Sequence, residues 1–251
     1  MTRRDGTGLA ELLVALALAG VILAAATRSL VQHLALHRTR DARSRAEEIV
    51  REVHDVLRAE LGHAAGDVRV LGDTAIEVAS MRILARACHQ EPARLVLPAT
   101  EPSWSAPRAG DSLAVMDTLV RSEWRTIIAA AGIHRASAEC PAGGTRVTLG
   151  TSLPATVPAR AVPARVWRTV RYMAYRAGDG SWWLGERQCL SGCGAAQPIA
   201  GPLLSPAQGG LRLSEGLGAD GRPSFLDVSV RAVVATHAAS LSSRLPLPAA
   251  P

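Results

Sequence analysis

The chain has 251 residues, 28 basic against 22 acidic, and a formal net charge of +6. Every basic residue is Arg, so chemistry that needs a lysine amine, such as a Schiff base, is excluded. The arginines are interleaved with Asp and Glu along a chain of which only 3% is aromatic, which leaves no basic stripe with stacking rings for nucleic acid.

Near the start, Arg3 and Arg4 precede an apolar run from Leu9 to Ala26, about 18 residues, just long enough to cross a bilayer once. The two arginines put the short N-terminus in the cytoplasm and the rest of the chain outside. One carboxylate, Glu11, sits at the entrance to this run. Its burial costs about 2.5–3.5 kcal/mol at a bilayer centre and less near the interface, so its presence asks for a use. A simple export signal would read the same stretch as a basic start, an apolar middle and a small-residue cut at Ala24-Ala25-Ala26, with a mature chain from Thr27. Glu11 and the helical pattern continuing beyond Ala26 argue against that.

The order Gly6, four residues, Glu11, then Leu12-Leu13-Val14-Ala15-Leu16-Ala17-Leu18 resembles the class III signal of type IV pilins and type II secretion pseudopilins. The resemblance implies that prepilin peptidase cuts between Gly6 and Thr7, which makes 1–6 a leader, 7–26 a transmembrane segment and Glu11 the fifth mature residue. It also implies that Glu11 pairs with the N-terminal amine of a neighbouring subunit. Thr7 stands where the family usually has Phe or Met, and Gly8 where it has Thr, so N-methylation of Thr7 stays open. The implied partners are prepilin peptidase, other pilin or pseudopilin subunits, the inner-membrane assembly platform and the lipid bilayer. The implied location is the bacterial inner membrane, single pass, with the head in the periplasm and the subunit in a filament after assembly. Arg28 occupies the place of a proline that many major pilins carry, which points to a minor subunit.

Apolar residues Ala42, Ala46, Ile49, Val53, Val56 and Leu57 recur at three- and four-residue steps, so the helix is expected to run on as an amphipathic segment, 27–62, and to stop at Gly62. A β-rich head, 63–244, follows. Strands are expected at Val68–Val70, Ala75–Ala79, Arg82–Ala87, Arg94–Leu97, Ser112–Asp117 and Trp124–Ala130, then at Arg146–Leu149, Val166–Arg176, Trp182–Gln188, Leu211–Leu213 and Phe225–Val234. The clearest hairpin joins Val166–Arg176 to Trp182–Gln188 across Ala177-Gly178-Asp179-Gly180. Leu153–Val166, with three prolines, reads as a crossing loop, and 245–251 as a flexible tail. The fold class is therefore α+β and pilin-like: a long N-terminal helix on an antiparallel β-sheet head. The helix end Val56–Leu61, the run Ala75–Ala79, the Val170-Arg171-Tyr172 hairpin and the closing Leu226–Val230 strand resemble the J-type minor pseudopilins and similar minor pilins.

Cys88, Cys140, Cys189 and Cys193 all lie in the expected exported part, and their even number suggests disulfides. Three pairings are possible. The favoured set is Cys189 with Cys193, close across Leu190-Ser191-Gly192, and Cys88 with Cys140, closing the first group of strands; the Cys-x3-Cys spacing in a Gly-rich loop does not suit zinc. No metal and no cofactor are expected. Gly-x-Ser-x-Gly, His-Glu-x-x-His and Gly-x-x-x-x-Gly-Lys are all absent, so no enzyme activity is expected. His54, Glu60 and His63 read as solvated side chains at a helix end. Asp179-Gly180 and Asp220-Gly221 read as turns rather than calcium loops, and one of Trp182 and Trp183 is expected to face outward. The expected function is that of a minor pilin or pseudopilin, a structural subunit that joins or initiates a type IV pilus or type II secretion pseudopilus. The alternative is a membrane-anchored or exported periplasmic binding protein or hydrolase that uses its N-terminus only for targeting.

Overall fold

The computed structural model describes residues 8–91, 93–98, 107–117, 123–135, 140, 143–149, 163–189, 192–218 and 223–247. Its first element, α1, is a single helix of 54 residues, Leu9–Gly62, about 80 Å long. Ala and Leu dominate its first half and Pro is absent, so nothing in the sequence breaks it. In its second half Glu47 accepts from Arg43 at 3.1 Å and from Arg51 at 3.4 Å, two helical-spacing pairs that each add a few tenths of a kcal/mol. The helix ends where the His63 N–H closes the last turn on the Ala59 carbonyl, 3.1 Å away.

Among the described residues thirteen strands follow: β1 Ala64–Val70, β2 Ala75–Arg86, β3 His89–Glu91, β4 Arg94–Pro98, β5 Ser112–Asp117, β6 Glu123–Arg135, β7 Gly144–Leu149, β8 Pro163–Arg176, β9 Trp182–Gln188, β10 Gln197–Leu203, β11 Leu211–Leu217, β12 Pro223–Val234 and β13 His237–Pro246. Every pairing among them is antiparallel. The long strand β8 is the hub. One of its edges takes β2 over nearly its full length. The other is divided, with β5 against Ala164–Trp167 and β9 against Val170–Arg176. From β5 the sheet continues through β6, β7 and β4 to β3; from β9 it continues through β10 to β12, which carries β11 beside β10 and β13 on its far edge.

Alternation along β8 places Ala164, Val166, Arg168, Val170 and Tyr172 on one buried face. Val170 and Tyr172 join the larger core, where Val50, Val53, Leu57 and Leu61 of α1 meet Ile76, Val78, Leu184, Leu211, Leu226, Val228 and Val230. Ala164 and Val166 join a smaller one with Leu95, Leu97, Leu113, Val115 and Val147. The helix lies chiefly on β12 and β13, with β10 next.

Several expectations need correction. Ala75–Ala79 and Arg82–Ala87 form one strand, β2, whose register against β8 steps between Met81 and Ile83. The extra residue there is Arg82, which makes the break look like a turn in the sequence. Strands β3, β10 and β13 were not expected. The tail does not begin at Leu245: that residue is buried in β13, and the Leu247 N–H donates to the Ser224 carbonyl at 3.0 Å. The Pro-rich loop up to Val162 and the Asp220-Gly221 turn lie outside the described residues, while Pro163–Val166 already belongs to β8.

Candidate functional site

Helix α1 divides sharply. From Glu11 to Asp41 every residue is exposed, and fully buried positions begin at Ala46 and recur at Val50, Val53, Leu57 and Leu61, steps of four, three, four and four. This stripe matches the periodicity read from the sequence, with Val50 and Leu61 added to it. The N-terminal half is long and apolar enough to cross a membrane. Its apolar exposure does not stop at the bilayer-length run: Leu30, Val31, Leu34 and Leu36 remain between 48% and 60% exposed.

Glu11 lies in the first turn, where its backbone N–H reaches the Gly8 carbonyl at 2.9 Å. A carboxylate there is favoured by the helix dipole by about 0.3–1 kcal/mol. Gly6 and Thr7, the expected processing site, lie outside the described residues.

At the other end of α1, Glu60 is turned inward rather than solvated. Its carboxylate faces the Arg82 guanidinium at 3.6 Å and lies beside the Tyr172 hydroxyl. Burial, then the Glu60 and Glu186 carboxylates, push that hydroxyl far above the usual tyrosine range. His63 Nδ1 lies 2.7 Å from the Ala59 carbonyl, and His54 pairs with the adjacent Asp55, so the three groups form no common site. The one sequence signal for the polar cluster was Arg82, a charge within Met81-Arg82-Ile83-Leu84, and its bulge shows only in the register against β8.

A second buried polar group sits where the divided edge of β8 passes from β9 to β5. Arg168 grips Asp111 through Nε at 2.6 Å and a terminal nitrogen at 2.7 Å, and both side chains are at most 2% exposed. The Arg108 backbone N–H gives Asp111 a further bond of 2.8 Å. Sequence reading missed this pair. The clue was Arg168 at an inward position of Ala164-x-Val166-x-Arg168-x-Val170-x-Tyr172, since a charge on such a face needs a buried partner.

The cysteines pair as Cys88–Cys140 and Cys189–Cys193, and none is free. Gly144 sits under the first bridge, where a Cβ would fall 2.8 Å from the Cys140 sulfur. Asp179 closes the β8–β9 turn by accepting from the Ser181 hydroxyl and N–H, which hold its carboxyl below its ordinary range. Trp182 packs on the larger core, and Trp183 is also half-buried, donating to the Ser181 hydroxyl at 2.8 Å. Neither tryptophan is a fully outward platform.

Shallow grooves mark the head and the C-terminal half of α1. One of about 600 Å3 runs over the outer face of β11, β12 and β13, where Arg244 is paired with Asp227 and stacked on Phe225, 3.8 Å from its centroid. Another, of about 770 Å3, follows the outward side of α1 past Glu48, Glu52 and Asp55. A third, of about 510 Å3, separates α1 from β13. Among the described residues no three His, Cys, Asp or Glu side chains are placed to hold a metal ion.

No family model, no curated protein and no solved structure matches this chain. The class the geometry defines is an α+β protein with one long apolar N-terminal helix and a large antiparallel sheet head, an arrangement compatible with a pilin-like fold.

Proposed function

We propose that the protein is a minor pilin or pseudopilin, a non-enzymatic subunit that assembles into or initiates a type IV pilus or type II secretion pseudopilus. Residues 7–26 hold it in the bacterial inner membrane with the head in the periplasm. Prepilin peptidase removes 1–6, and the assembly platform adds the subunit to its neighbours through α1.

The observation that carries this reading is the excess of exposed helix. A membrane anchor needs about 20 residues. Here 31, Glu11 through Asp41, stand clear of the head, and the surplus carries Leu30, Val31, Leu34 and Leu36. Covering those four against neighbouring helices gains about 25 cal/mol per Å2 of apolar surface removed from water. Glu11 then has a use: paired with the Thr7 amine of the next subunit, each charge offsets the desolvation of the other and fixes the axial register.

The test is the intact mass and N-terminal sequence of protein purified from membranes of cells with and without prepilin peptidase. A chain that begins at Thr7 only when the enzyme is present supports the proposal. A start at Thr27, or an uncut chain in both strains, overturns it.

A further inference from the structure

Strand β13 is an open edge. Among the described residues it pairs only with β12. The two strands are joined by a two-residue turn, Ala235-Thr236, with Ala235 at φ 54°, so the closing pair Val234 and His237 is hydrogen-bonded inward. Alternation then turns the backbone N–H and C=O of Ala238, Ser240, Ser242 and Arg244 away from β12. None of these four N–H groups has a backbone partner among the described residues.

Proteins ordinarily protect such an edge with Lys, Pro, a bulge or a short strand. Strand β13 has ten residues, pairs with β12 without a register shift, and carries no charge from Ala238 through Ser243. From His237 to Leu241 this strand also forms one wall of the 510 Å3 groove, whose other wall is α1 at Arg43, Glu47, Val50 and Arg51. Both arginines lean on the single Glu47 carboxylate and remain about 70% exposed, leaving the α1 wall one positive charge in excess.

We propose that this groove is a docking site for an extended, acidic segment of another protein, which adds to the sheet along β13. The outward backbone positions Ala238 and Ser240 hold the main chain of the segment in the groove, Ser242 and Arg244 extend the same edge beyond it, and an Asp or Glu on the segment takes the share of Arg43 and Arg51 that Glu47 leaves unneutralised. Neither point depends on how the N-terminus is processed, so the proposal stands apart from the filament reading.

The test uses the full chain in detergent and a fluorescently labelled ten-residue peptide of alternating Val and Thr with two central Asp residues, followed by anisotropy. A peptide with Lys in place of Asp is the control. The expected result is binding of the acidic peptide at least about tenfold tighter than the Lys peptide, with slowed hydrogen exchange at Ala238, Ser240 and Ser242. Ser240→Pro removes an outward N–H while leaving the β12 ladder intact, and should abolish binding. Arg51→Glu, on the helix wall, should erase the preference for acid without touching the strand. No binding, equal binding of both peptides, or binding that survives Ser240→Pro overturns the proposal. So does self-association of the protein that Ser240→Pro removes, since the edge would then serve a second copy.

Discussion

Tyr172 keeps its proton in a pH range where the unfolded chain gives it up. Its folded pKa is raised by burial and by Glu60, so the stabilisation is complete below the unfolded value of about 10 and is lost as pH rises above it. Each unit above pH 10 should cost about 1.4 kcal/mol until the head unfolds. Chemical denaturation at pH 9, 10 and 11 checks this, and Tyr172→Phe should flatten the slope, with Tyr172 adding no tyrosinate absorbance before unfolding. Arg168 and Asp111 make the complementary case. Truncating one partner, as in Arg168→Met, should cost about 3–5 kcal/mol because the other charge is stranded, while the double variant Asp111→Leu/Arg168→Met should recover much of it. A urea double-mutant cycle measures the difference. That pair lies on the shared face of β8 between the two cores, so its loss should weaken the contact of both.

At the scale of elements, the long-range bridge matters more than the short one. Cys88–Cys140 closes a loop of 52 residues and should contribute about 4 kcal/mol through the unfolded chain, against about 2 kcal/mol for Cys189–Cys193, which spans four. Comparing urea midpoints of Cys88→Ser/Cys140→Ser and Cys189→Ser/Cys193→Ser checks the order. Strands with a pattern of their own are legible in the sequence: β5 and β9 have the expected ends, and the β8–β9 hairpin turns at the expected Gly-Asp-Gly. Those that exist only because a partner recruits them are not. Strand β10 contains Pro198, Gly201 and Pro202, and half of β13 is Ala and Ser, so neither has strong intrinsic β preference. The helix stripe is readable because a period of 3.6 is local, whereas the Arg168–Asp111 pair joins residues 57 apart and leaves only half its signal in either segment.

For the whole molecule, the exposed half of α1 should be separable from the head. A chain beginning at Arg28 retains every buried helix position from Ala46 onward, so it should keep the thermal midpoint of the full chain while no longer partitioning into detergent. Differential scanning fluorimetry and phase separation test the two halves of that statement. Glu11→Val should leave the head equally stable, and if the proposed assembly role holds, it should reduce co-purification with neighbouring subunits without preventing membrane insertion.

The buried stripe of α1 rests mainly on β12 and β13, which come far later in the chain than the helix itself. The stem is thus made well before its seat. During synthesis, Val50, Val53 and Leu57 lack most of their cover until residues beyond Pro223 have also been made. The head therefore cannot close on the helix until β12 and β13 have been made, and a chain stopped just short of β13 would present the helix to chaperones and proteases as an unfinished product.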